Sequence, residues 1–183
     1  MFDKDQFIAD CQQALGESSG HKAVREIVAR AVSQPDQVTR ELGVPEKGGL
    51  NTLYRSDTLT ILNIVWAPMM TLSPHNHNLW AVIGIYSGRE DNIFWRRTKD
   101  APNGHIEAAG AKALCLGDAE ALGKDIIHSV TNPISRFTGG IHVYGGDFFV
   151  DGRSDWDAEA LIEQPYNVDK ARAVFEKANG WTM

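Results

Sequence analysis

SPHNHNLWAVIGIYSG, residues 73–88, decides how the chain is read. It sets His75 and His77 one residue apart, behind Pro74 and ahead of an apolar run. Alternate residues of a strand share a face, so the two imidazoles point the same way and can chelate one ion. Leu79, Ala81 and Ile83 continue that face if the strand runs on. Apolar residues of both parities between Leu79 and Tyr86 predict a strand covered on both sides, by a helix or by a partner subunit. The chain has only six histidines, His21, His75, His77, His105, His128 and His142. A lone pair at this spacing also arises by chance on surfaces, so its meaning depends on a third ligand elsewhere.

Outward from that stretch the sequence keeps a β rhythm. TLTILNIVWAP (58–68) is β-branched and aromatic, with a proline stop. NIFWRRT follows LWAVIGIYSG after GRED, read as a turn. GHIEAAG, KALCLGD, DIIHSVTNP and FTGGIHVYGGDFFV then alternate short apolar segments with Gly, Asp, Asn and Pro, the pattern of an antiparallel sandwich or barrel. Trp66, Trp80 and Trp95 are read as sheet packing.

The ends read as helical. Phe7, Ile8, Cys11 and Leu15 recur at helical spacing, as do Val24, Ile27, Val28 and Ala31, with GESSG (16–20) between them. Pro35 restarts the chain as a short helix over about 35–42, which Ser33 is expected to cap and Gly43 and Pro45 to end. NVDKARAVFEKANG forms a last helix stopped at Gly180. The expectation is one domain: a helical lead-in over 1–45, a β-barrel over 50–150 and a C-terminal helix over 167–180.

Bulk properties narrow the function. A net charge of −6 and a pI near 5.5 argue against non-specific binding to nucleic acid or to an anionic membrane. No apolar run is long enough to span a bilayer, and the acidic residues in MFDKDQFIADCQQALG do not suit a signal peptide. Cys11 and Cys115 lie far apart and are expected as ordinary buried thiols in a reduced, cytoplasmic setting.

His128, in DIIHSVTNP, supplies the third candidate ligand. The His128-x3-Asn132 spacing fits the second sequence motif of the cupins, whereas Gly123 lies five residues before the histidine rather than three. The first cupin motif places a glutamate shortly after its His-x-His pair; here positions 81 and 82 are Ala and Val, with Gly84 and Gly88 available. Without that carboxylate, three neutral imidazoles would leave a divalent ion its full charge. Such a site favours an anionic exogenous ligand and deprotonates a coordinating thiol. Imidazoles suit Fe, Cu, Zn and Ni.

Together PHNHNLWAVIGIYSG, IHSVTNP and GGIHVYGGDFF resemble the thiol dioxygenases of the cupin superfamily, the cysteine dioxygenases and their bacterial relatives acting on 3-mercaptopropionate. The resemblance covers roughly residues 50–150, and the helical lead-in is also similar to that of the bacterial members. It implies a mainly β fold, a double-stranded β-helix or jelly roll with N-terminal helices and a C-terminal helix. It implies Fe(II) held by His75, His77 and His128, with Ni or Zn able to replace it in recombinant protein. It implies a small thiol and O2 as substrates, both oxygen atoms ending on sulfur to give a sulfinate. His142 and Tyr144 match the outer members of the family's Ser-x-His-x-Tyr triad, with Gly140 where the serine would stand. No cysteine lies near positions 81–82 for a Cys–Tyr cross-link. Arg55 is the first choice for the substrate carboxylate, which an arginine binds through two parallel hydrogen bonds; Arg136 is the second, with Arg96 and Arg97 in reserve. His21 and His105 are read as surface residues.

Two other readings stay open: a metal-dependent cupin enzyme acting on a carbonyl substrate, and a non-catalytic cupin binding a small ligand. An inward arginine beside the histidines favours the thiol reading, and a wholly apolar pocket the carbonyl one. Oligomeric state is open.

Overall fold

The computed structural model describes residues 1–16, 20–99 and 102–180. Most of the expected break at 16–20 therefore lies outside the described residues. The helices are α1 (Lys4–Ala14), α2 (Gly20–Val32), α3 (Pro35–Leu42) and α4 (Val168–Asn179). The strands are β1 (Gly49–Arg55), β2 (Thr60–Trp66), β3 (Thr71–Asn76), β4 (Ala81–Ser87), β5 (Arg89–Arg97), β6 (Ile106–Cys115), β7 (Ala119–Leu122), β8 (Ile127–Thr131), β9 (Thr138–Tyr144), β10 (Ser154–Trp156) and β11 (Glu163–Pro165).

One sheet has the order β1-β2-β9-β4-β7 and the other β11-β10-β3-β8-β5-β6. Every pairing is antiparallel. The four-strand block β2-β9-β4-β7 lies against β3-β8-β5-β6, so the chain crosses between sheets as it winds. That strand order is a jelly roll, the double-stranded β-helix of the cupin fold. The fold is mainly β, with three helices before the barrel and one after it.

Strand periodicity sorts the first sheet into two faces. Leu62, Ile64, Trp66, Ala81, Ile83, Ile85 and Tyr144 enter the core between the sheets. Ile61, Val82, Tyr86, Ile141 and Val143 face outward and pack under Val24, Val28 and Val32 of α2. A helix therefore covers the second face of the 79–86 run. The contact is close because Gly84 has no side chain: a Cβ there would stand 2.3 Å from Val28 Cγ1.

Several local expectations change. The strands continue past residue 150, because β10 pairs with β3 and carries β11 with it. GHIEAAG and KALCLGD belong to one long strand, β6, bent at a bulge opposite Phe94 and Trp95. Strand β3 ends at Asn76; the chain turns at Asn78, whose φ is 54°, before β4 begins. His77 thus sits on a corner and not within a continuous strand. Ser33 does not cap α3, since its hydroxyl donates to Arg30 O and Gln34 occupies the cap position. Cys11 is buried beneath the helices, but Cys115 is exposed at the end of β6 on the sheet edge. No described helix is long and apolar enough to cross a membrane.

Candidate metal centre

The corner after β3 and the neighbouring strand β8 bring three imidazoles together. His75 pairs directly with His128 across the sheet, and His77 leans back over both. Ring centroids are 5.0 Å apart for His75 and His77, 4.7 Å for His75 and His128, and 4.9 Å for His77 and His128. One nitrogen from each lies within 4.8 Å of the others, a group able to hold a divalent metal ion. His77 Nε2 and His128 Nε2 are 3.3 Å apart. Two nitrogens each about 2.1 Å from one ion are roughly 3.0–3.4 Å apart at octahedral or tetrahedral angles.

Neighbouring oxygens set the tautomers. His75 Nδ1 lies 3.0 Å from the carbonyl of Ser73, and His128 Nδ1 lies 2.7 Å from Asn92 Oδ1. Both oxygens accept, so both Nδ1 atoms donate and both Nε2 lone pairs turn inward. Metal-binding histidines use this outer hydrogen bond to fix ring orientation. Burial holds all three imidazoles neutral: His75 falls to about 4, and His77 and His128 lie well below the ordinary range. Three buried, neutral, convergent imidazoles fit a divalent first-row ion.

The wall around them is mostly apolar, with Ile64, Trp66, Leu72, Val130, Phe148 and Phe175 among its members. The central space is ≈ 20 Å³. That admits an ion or a single water, so a larger ligand requires lining side chains to give way.

Tyr144 and His142 enter the same cavity from β9. The Tyr144 ring lies 5.0 Å from that of His77, and its hydroxyl lies 3.4 Å from His142 Nδ1. Burial raises the Tyr144 phenol far above its usual range, with the Glu90 charge adding to the shift, so it stays a hydrogen-bond donor. Gly140 leaves space at the other ring nitrogen: a Cβ there would stand 3.0 Å from His142 Nε2. Glu90 fills that side, its Oε2 lying 3.2 Å from His142 Nε2.

The arginines are placed differently from the expectation. Arg55 is half exposed and forms a bidentate pair with Asp147, Nε to Oδ1 at 2.9 Å and Nη2 to Oδ2 at 2.8 Å. Its fork is already filled. Arg136 is exposed on a separate surface groove with Val44, Pro45 and Phe137. Arg96 pairs with Glu107, and Arg97 with Glu163. None of these four lines the histidine cavity.

Arg153 does not itself line the cavity either, but it lies behind the wall, stacked on two side chains that form it. It is 6% exposed, with its guanidinium carbon 4.3 Å from the Phe148 ring centre and 4.1 Å from that of Tyr166. Both rings line the cavity. Pairing of Asp155 on β10 with His75 brings this segment in, and Ser154 N donates to Asn76 Oδ1 at 2.8 Å. Arg153 Nε and Nη1 are buried without a hydrogen-bond partner. Burial, the main influence, lowers its pKa from the usual value, but a guanidinium remains charged. An arginine in the turn-rich segment GGDFFVDGRSDW offers no periodic signal that would mark it from sequence.

No family model matches the sequence. Solved structures that resemble the chain include a protein of Bacillus halodurans, at a TM-score of 0.47 and 16% identity over 61% of this chain and 76% of that one. An RmlC-like cupin family protein of Methanocaldococcus jannaschii gives 0.45 and 13% over 57% and 84%. Oxalate decarboxylase of Bacillus subtilis gives 0.41 and 15% over 52% of this chain and 22% of that enzyme, so the chain spans under a quarter of its length. The fold assignment rests on the strand order, not on these distant likenesses.

Proposed function

We propose that the protein is an Fe(II)-dependent dioxygenase that oxidises a small carboxylate-bearing thiol, of the cysteine or 3-mercaptopropionate type, to its sulfinate. Arg153 carries the reading: a buried cation with two unpartnered N–H groups, seated against Phe148 and Tyr166 beside the three histidines. Such a group is costly unless an anion meets it, and a carboxylate matches its planar fork. Bound Fe(II) would supply the redox chemistry by which RSH and O2 combine to RSO2H.

The chain's own residues would do the rest. His75, His77 and His128 hold the ion and leave it uncompensated by any carboxylate among them, which favours a thiolate. Arg153 fixes the carboxylate and so aims the sulfur. Tyr144, kept protonated by burial and held by His142, sets a neutral hydroxyl beside the reacting atoms. Trp66, Leu72, Phe148 and Phe175 keep water out.

Oxygen uptake by the Fe(II)-loaded protein tests this against cysteine, 3-mercaptopropionate, cysteamine and a β-diketone. Uptake with a carboxylate thiol is expected, matched mole for mole by sulfinate. Arg153→Gln should raise KM for that thiol at least tenfold, whereas Arg55→Ala should leave it unchanged. Uptake with the diketone alone, or none with any thiol at full iron loading, would contradict the assignment.

A further inference from the structure

We propose that Glu90 is the positioning anion of this site, supplying from the strand behind the histidines the negative charge that the three imidazoles lack; the inference rests on the three-histidine reading above. Glu90 is fully buried, lies on β5 and bridges the two sheets. Its Oε2 accepts from Trp66 Nε1 at 2.7 Å and faces His142 Nε2 at 3.2 Å. Its Oε1 accepts from Asn92 Nδ2 at 3.0 Å. Asn92 Oδ1 in turn lies 2.7 Å from His128 Nδ1.

Each contact fixes the next. A carboxylate only accepts, so Asn92 must turn its NH2 group towards Glu90. Its carbonyl then faces His128, and His128 must carry its proton on Nδ1. That leaves the Nε2 lone pair for an ion. On the other branch, the same carboxylate calls for a proton on His142 Nε2, although the approach is off the axis of a good hydrogen bond. His142 Nδ1 is then the acceptor for the Tyr144 hydroxyl. One buried anion thereby orients a metal-facing histidine and a substrate-facing tyrosine.

The absent side chain at Gly140 makes room for this arrangement. A serine there would crowd His142 Nε2 from 3.0 Å, the nitrogen that Glu90 faces. Glycine at 140 and glutamate at 90 therefore form one device, in which a carboxylate stands where the related triad has a hydroxyl.

The test compares wild type with Glu90→Gln, which keeps the shape and removes the charge. Co(II) affinity by calorimetry should fall about tenfold or more, the scale seen when outer partners of metal ligands are lost. The Fe(III)/Fe(II) midpoint potential should rise, because a nearby anion favours the ferric ion. Unchanged affinity and potential in a folded variant would overturn the role of Glu90 alone. Failure of wild type to bind Co(II) would overturn the three-histidine reading and this inference with it. Should the variant not fold, imidazole nitrogen shifts of metal-free wild type decide: His128 as the Nδ1–H tautomer supports the inference, and Nε2–H overturns it.

Discussion

Strand β9 serves two regions that follow different rules. Its outward residues, Ile141 and Val143, pack in the apolar layer under α2, where Asn63, opposite Ile141, is a buried polar group satisfied by the Tyr86 hydroxyl. Its inward residues, His142 and Tyr144, join buried polar groups from both sheets. The outer face is held by area and shape, and any well-fitting apolar set would serve. The inner face depends on each donor finding an acceptor, so one wrong group strands another. On β9, therefore, outward substitutions should act on stability and inward ones on chemistry.

The strongest way to break that division is Ile141→Ala. Removing a large buried side chain should cost about 2–5 kcal/mol in denaturant unfolding while leaving metal affinity within about twofold. A comparable loss of affinity would mean that the two faces are coupled.

Acid probes the inner face. Burial holds His75 neutral in the folded protein down to about 4, against an ordinary 6.5. The unfolded chain binds more protons between those values, so stability of the metal-free protein is full above 6.5 and falls as pH drops towards 4. His75 alone accounts for about 3 kcal/mol of that fall. Unfolding curves that coincide at pH 7 and pH 4.5 would contradict it.

Gly140→Ser sharpens the comparison within β9. Overpacking beside His142 Nε2 should cost about 1–3 kcal/mol, with His142 displaced from Glu90 and its imidazole shifts altered. Arg55→Ala should have the smallest effect, an unfolding curve close to that of wild type, since its pair with Asp147 is half exposed and screened by solvent.

The same contrast explains what was legible in the sequence. Hydrophobic periodicity gave the helices, the β rhythm and the doubly covered run at 79–86, because burial leaves a repeating pattern. The spacing of His75 and His77 and the setting of His128 pointed to one cluster, although the corner at Asn78 and not a continuous strand aims His77. Glu90 was hidden in GRED, which reads as a turn; only the register of β5 shows that Glu90, Asn92 and Phe94 share the inner face. Arg55 drew attention through the family resemblance, yet Asp147 from beyond β9 occupies it. Arg153 owes its position to the pairing of β10 with β3, a contact across 80 positions of sequence (His75 to Asp155) with no local signature.

The most direct test of the central claim is the metal stoichiometry of the protein and of His75→Ala, His77→Ala and His128→Ala, measured by visible absorption on titration with Co(II). One ion per chain in wild type, with high-affinity binding lost in each variant, is the predicted result. Undiminished binding in any one variant, or no binding in wild type, would contradict it.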